Sequence, residues 1–243
     1  MRMWTFSKRC AKEILRDPIN LFFGLGFPII LLLLLSAIQA NVPVDLFTIE
    51  NLTPGISVFG LSFFALFSAT LVAKDRESAF LQRLYTTPLR AHEFILGYML
   101  PMLPFALMQS GCCYLVALFL KLPLSVNILY AVFFNMPMAV FYISLGLLFG
   151  SMMNSKQVGG ICGALLTNLS AWLSGVWFDL SLVGGAFEAI AHALPFVHAV
   201  ELVQFVLVGD FSDVISHLLV VLLYMLAISL CAVLVFLRQM KKQ

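Results

Sequence analysis

Charge is what this chain has least of. Asp, Glu, Lys and Arg make up 11% of its 243 residues, against roughly 25% in a soluble domain. Hydrophobic residues reach 62% and the mean hydropathy is +1.02. The composition is that of an all-α integral membrane protein. No polar stretch is long enough for a separate soluble domain, so one membrane domain over residues 1–243 is expected. The five cysteines form no C-x-x-C pair and most lie inside apolar runs, which excludes a disulfide framework and reads as core packing. No G-x-x-x-x-G-K-[ST] occurs, so the chain cannot cradle ATP phosphates in the P-loop manner. Any energy it uses comes from a partner or an ion gradient. The apolar runs are almost free of ionisable residues, the usual handles of ion-coupled carriers, which argues against secondary transport. The net charge of +2 gives no basis for a nucleic-acid partner. No Ser-His-Asp or paired-carboxylate arrangement stands out, so no catalytic residue and no enzyme activity are expected.

What is present is a series of apolar segments separated by short polar ones. Residues 1–20 mix Arg2, Lys8, Arg9, Lys12 and Arg16 with Trp4, Phe6 and Ile14, which suits an amphipathic elbow helix at headgroup level. A signal peptide is the alternative, but the apolar run Leu21–Ile38 is too long and lacks a clean cleavage site. Six apolar segments are near or above the roughly 20 residues of a helical crossing: Leu21–Ile38, Pro54–Ala73, Phe94–Leu120, Val126–Met153, Val158–Phe178 and Val214–Leu237. Pro101, Pro104 and Pro137 predict kinks in the third and fourth. Of the 14 basic residues, all but Lys121 fall on one side of this topology. That bias makes both termini cytoplasmic.

The longest polar interruption runs from Lys74 to Leu100. Phe80, Leu81, Leu84 and Tyr85 recur there at helical spacing, and Pro88 ends the pattern, so a short amphipathic helix within 74–92 is expected. An exposed amphipathic helix between two spans docks on a partner or lies on headgroups.

The run Arg76-Glu77-Ser78-Ala79-Phe80-Leu81-Gln82-Arg83-Leu84-Tyr85-Thr86-Thr87-Pro88, followed by Gly97-Tyr98, resembles the membrane subunits of ABC-2 type ABC transporters. Those carry a cluster of charges, a Gly-Thr-Leu-Glu-like turn, an apolar pair, Thr-Pro, and Gly-Lys opening the third span. Ala79, Phe80, Gln82 and Tyr98 depart from that pattern, where the family has glycine, threonine, glutamate and lysine. A second stretch is also similar: Ser174-Gly175, Phe178, Leu180, Leu194-Pro195-Phe196, His198-Ala199, Glu201 and Val208-Gly209, with Asp179 replacing the usual proline.

The resemblance implies an ATP-driven exporter for a lipophilic or amphipathic substrate. It would be built from two permease subunits, as a homodimer, and two ATPase subunits that bind the ATP and Mg. This chain would carry no cofactor itself and would sit in the bacterial cell membrane among its lipids. Asp75, Arg76, Glu77, Phe80, Leu81, Arg83, Leu84, Tyr85 and Pro88 would form the coupling helix that meets the ATPase. Phe59, Phe63 and Phe67 on the second span, with Asn168, Trp172 and Trp177 on the fifth, would lie at the path or dimer interface. A haem- or cofactor-export subunit of the same build, or a non-transporting scaffold, are the competing readings.

The external segment 179–213 contains no Lys or Arg yet is too apolar for a free loop. Pro195 divides it into pieces too short to cross a bilayer. Two re-entrant helices are predicted, Gly185–Ala193 and Phe196–Val208, with His198 and Glu201 three apart on one face as an external gate. His192, His198 and Glu201 match no standard zinc spacing, so no metal is expected from the sequence.

Overall fold

A computed structural model of the chain describes residues 2–42, 47–78, 80 and 91–242. Among the described residues, the secondary structure is helical throughout. In hydrocarbon every backbone polar group must be satisfied within its own segment, and a helix does that. Among the described residues, five helices are long and apolar enough to cross a membrane: Pro18–Gln39, Ile49–Glu77, Glu93–Phe119, Asn127–Met152 and Val214–Gln239. The pair Gly185–Ala193 and Pro195–Val208, bent by 72° at its break, makes a sixth if counted as one span.

The elbow is the separate helix Arg2–Leu15. Asp17 then caps the first span by accepting the Asn20 N–H at 3.2 Å, with Pro18 at the first helical position. That span widens into a π-helical turn at Phe22–Gly26. Pro28 follows it directly; it has no N–H to donate, and its ring would crowd the Gly24 carbonyl in a regular α-helix. The helices break at Leu100–Pro101 in the third span and at Asn135, two residues before Pro137, in the fourth, where prolines predict it. Asn135 uses its position at the break to donate to Ser57 Oγ (3.1 Å) and Ser110 Oγ (3.2 Å) inside the bundle.

The second span is the centre of the molecule. Its most apolar stretch is 89% buried, against 11% for the last span. The fourth span lies on it through Gly146 and Gly150, where any Cβ would collide with the backbone of Ala65 or Ala69. Ser68 Oγ closes that seam by donating to the Ile143 carbonyl at 3.1 Å. Small residues permitting close backbone approach are what packs helices when lipid is as apolar as leucine. The last span, by contrast, leaves Leu219, Leu223, Leu226, Leu230 and Leu234 exposed in one stripe, as a lipid-facing surface requires.

The fifth apolar segment is helical over different bounds from the expected Val158–Phe178. Its helix runs over 155–172, π-helical between Gly159 and Leu166. Beyond Trp172 the chain turns, with Gly175 at φ +73°, and Val176 packs on Gly55. Residues 173–184 then fill the outer end of the bundle with non-helical backbone and a short 3-10 turn at Leu180–Leu182.

The re-entrant pair forms nearly as predicted. Pro195 opens its second arm, and Gly209 at φ +85° closes it with the left-handed turn that glycine adopts readily. Tyr224 Oη donates to the Ala193 carbonyl at 2.6 Å. Tyr224 lies ten residues into the last helix, about 15 Å along its axis. The bend of the pair therefore reaches well down the bundle before the second arm returns to its outer end.

Candidate functional site

The polar residues that frame the 78–90 segment meet at one pole of the bundle. The elbow helix is amphipathic, and its buried face of Phe6, Cys10 and Ile14 lies against the third span. Phe6 sits edge-on to Tyr98, with ring centroids 4.8 Å apart. Gly97 makes room for it, since a Cβ there would run into the Phe6 ring. That seating brings Arg9 over the end of the second span. Arg9 forms a bidentate pair with Asp75 at 2.5 and 2.6 Å, and Tyr98 Oη donates to the same carboxylate at 2.8 Å. Asp75 is 1% exposed and its carboxylate is fully engaged, while the Arg9 side of the pair stays partly open to water. Burial alone would lower the Arg9 pKa, but the hydrogen bond and charge of Asp75 outweigh it and hold Arg9 above its ordinary value. Burial pushes the neighbouring Cys10 thiol up to about 12. Arg9 also pairs with Glu13 at 2.8 Å and stacks over the Phe80 ring, 4.1 Å from its centroid.

The next two residues bind two other elements. Arg76 donates to the carbonyls of Ser151 and, at 2.6 Å, Met153, the unpaired end of the fourth span; cations satisfy helix C-termini in this way. Glu77 accepts the N–H and Oγ–H of Ser155, each at 2.8 Å, at the opposite kind of terminus, the start of the 155–172 helix. Lys74 lies 3.7 Å from Asp17 at the start of the first span. Three consecutive residues, Asp75, Arg76 and Glu77, thus tie the end of the second span to the elbow, the third and fourth spans and the fifth helix. Phe94 and Phe236, 6.3 Å apart, bring the end of the last helix to the same pole.

Of the residues expected to touch a partner, Asp75 faces inward, and its engaged carboxylate places it in the framework that holds the segment. Leu81, Arg83, Leu84, Tyr85 and Pro88 lie outside the described residues. The path or interface set divides in two. Phe59, Phe63 and Phe67 are buried within the chain, Phe63 against Phe23 and Phe27. Asn168 is exposed and Trp172 is 60% exposed, on one face of the fifth helix with Leu165 and Leu169. Trp177 joins the sets by packing on Phe59, 6.0 Å between centroids.

At the opposite pole a cleft of about 530 Å³ is lined by Asn51, Trp177, Glu188, His192, Glu201 and Gln204 among others. Asp179 lies at its rim, where the Ser181 N–H and then its hydroxyl hold the carboxyl below its ordinary range. His198 and Glu201 share a face as predicted, 3.9 Å apart, and His217 from the last span joins them, its Nδ1 3.3 Å from Glu201. Sequence reasoning missed Arg9, Tyr98 and His217 as members of these clusters. Tyr98 carried a signal, as a departure from the lysine that the resembling pattern has there.

A family model described as ABC-2 type transporter matches residues 1–208. Two curated relatives are similar over a shorter stretch. The protein named "Putative transport permease ycf38" of Porphyra purpurea is 38% identical over 87 residues, 34% of this chain and 30% of its own length. Its namesake from Pyropia yezoensis is 36% identical over 86 residues, 33% of this chain and 30% of its own length. The matched stretch thus spans less than a third of either relative.

Proposed function

The chain belongs to the ABC-2 type transporter family, and from that premise we propose that it is the membrane subunit of an exporter driven by a separate ATPase. The observation that carries the reading is the triple tie at Asp75, Arg76 and Glu77. The helix of the second span ends at Glu77, and the expected docking segment follows it in the sequence. A partner that pushes on that segment moves the end of the central span, and through these ties the elbow, the third and fourth spans and the fifth helix move with it. Leu81, Leu84 and Tyr85 offer the apolar docking face, while Asp75 works from inside as the anchor.

The orientation follows from charge. Lys8, Arg9, Lys12, Arg16, Lys74, Arg76, Lys156 and Arg238 gather at the pole that holds both termini, and a basic pole faces the cytoplasm of a bacterial cell membrane. The outer cleft, part apolar and part carboxylate-lined, suits release of an amphipathic substrate, with His198 and Glu201 at the gate. A second permease copy covers the face of Leu165, Asn168, Leu169 and Trp172. The Asn168 amide nitrogen donates to the Ala164 carbonyl at 2.8 Å, but its side-chain oxygen would be costly to leave in hydrocarbon, which supports covering that face with a second copy.

Leu84→Asp and Tyr85→Asp test the reading. Each places a charge in an apolar docking face, at a cost of several kcal/mol to association, while the spans are untouched. Co-purification of the ATPase and its permease-stimulated turnover are expected to fall at least about tenfold. Undiminished assembly and transport in both variants would remove the coupling role from this segment.

A further inference from the structure

We propose that His198, Glu201 and His217 form a binding site for a divalent transition-metal ion of the zinc class, one that staples the returning re-entrant arm to the last span. The argument rests on the positions of three donor atoms. His198 Nδ1 and His217 Nδ1 are 2.9 Å apart, and Glu201 Oε2 lies 3.3 Å from the second and 3.9 Å from the first. A triangle with sides of 2.9, 3.3 and 3.9 Å is acute and has a circumradius of about 2.0 Å, so one interior point lies about 2.0 Å from all three donors. Zn–N and Zn–O bonds are roughly 2.0–2.2 Å. An ion seated slightly above that plane meets all three at bonding distance and keeps a further position open.

The tautomers favour the same outcome. His198 Nε2 lies 2.9 Å from the His192 carbonyl, which can only accept, so Nε2 carries the proton. In the neutral ring Nδ1 then presents a lone pair to the triangle. This is the outer-sphere contact that orients ligating histidines in metal sites. The Phe205 ring stacks on His217 at 5.5 Å between centroids and fixes the second imidazole. A proton on His217 Nδ1 can point at His198 or at Glu201 but not at both, whereas one divalent ion satisfies all three donors. Two imidazoles with one carboxylate suit Zn²⁺, Co²⁺ or Ni²⁺; Mg²⁺ and Ca²⁺ require oxygen shells.

Access and consequence also follow from placement. The histidine side chains are each 16% exposed and Glu201 is 31% exposed. Glu201 also lines the outer cleft, which gives the ion an entry route. His198 and Glu201 belong to the returning arm, Pro195–Val208, and His217 to the last helix, Val214–Lys242. A bound ion therefore fixes one arm of the bent pair to a neighbouring span beside the cleft. This inference stands whether or not the proposed ATPase coupling holds.

The test uses the full chain, purified in detergent, stripped with EDTA and dialysed against Zn²⁺ or Co²⁺. The expected result is one Zn²⁺ per chain by elemental analysis, with visible d–d bands in the Co²⁺ form and a Zn²⁺-dependent rise in unfolding temperature. His217→Ala and His198→Ala are expected to weaken binding at least about tenfold, and His192→Ala, which keeps the backbone carbonyl, to leave it within about threefold. Substoichiometric Zn²⁺ in the native chain, absence of Co²⁺ bands, or unchanged binding in His217→Ala overturns the site. The native-chain measurements decide the matter even if a variant fails to fold.

Discussion

Removing Arg9 should cost this protein more than neutralising Asp75, and removing both should cost less than the sum. Arg9→Ala leaves a carboxylate that is 1% exposed with Tyr98 as its remaining named donor, at 2.8 Å. Removing one partner of a buried pair costs about 3–5 kcal/mol. The Arg9 side chain is itself 35% exposed, so water reaches the vacated side and the expected loss falls to about 2–3 kcal/mol. Asp75→Asn keeps an acceptor for Tyr98 and leaves Arg9 with Glu13 at 2.8 Å, so about 1–2 kcal/mol is expected. In the double variant neither charge is stranded, and a coupling energy of about 1–2 kcal/mol should appear. The assay is the fraction of monodisperse permease that survives heating in detergent, with Arg9→Ala expected to lower the midpoint by about 5–10 °C. Additivity of the two single changes within about 0.5 kcal/mol would refute the clamp.

Three further outcomes follow from other parts of the structure. Gly146→Leu must displace the backbone of Ala65 and should abolish stable folding, whereas Gly159→Leu points into open space and should fold; comparing yields of monodisperse protein separates them. Burial pushes the Cys10 thiol up to about 12, which disfavours the reactive thiolate at neutral pH; alkylation followed by mass spectrometry should leave Cys10 unmodified in the native chain and modify it once the chain is unfolded in denaturant. Reporter fusions after Gln243 and within residues 182–186 should read cytoplasmic and external respectively, and the reverse pattern would invert the topology.

Local features were legible in the sequence and long-range pairings were not. The re-entrant pair could be placed to within a residue because Pro195 and the flanking glycines punctuate it chemically. The fifth segment was drawn too long because hydropathy counts Val176, Trp177 and Phe178 as membrane residues wherever they go. In the fold they turn back onto Gly55 and Phe59. The polar partners were out of reach for the same reason. Arg9 and Asp75 are 66 residues apart and His198 and His217 are 19 apart, so no helical period links either pair. Asp75 looked like a surface charge beside Lys74 and Arg76, and only the seating of the elbow on Gly97 and Tyr98 turns it inward.

The most direct test of the account is a photo-crosslinking amino acid placed at Tyr85 in the full chain, expressed with its P-loop ATPase, with a second placed at Glu188 as the opposite-pole control. A crosslink to the ATPase from position 85 whose yield changes between ATP and ADP, with none from position 188, is the expected result. A crosslink from position 188, or none from position 85 in a complex that co-purifies intact, would contradict it.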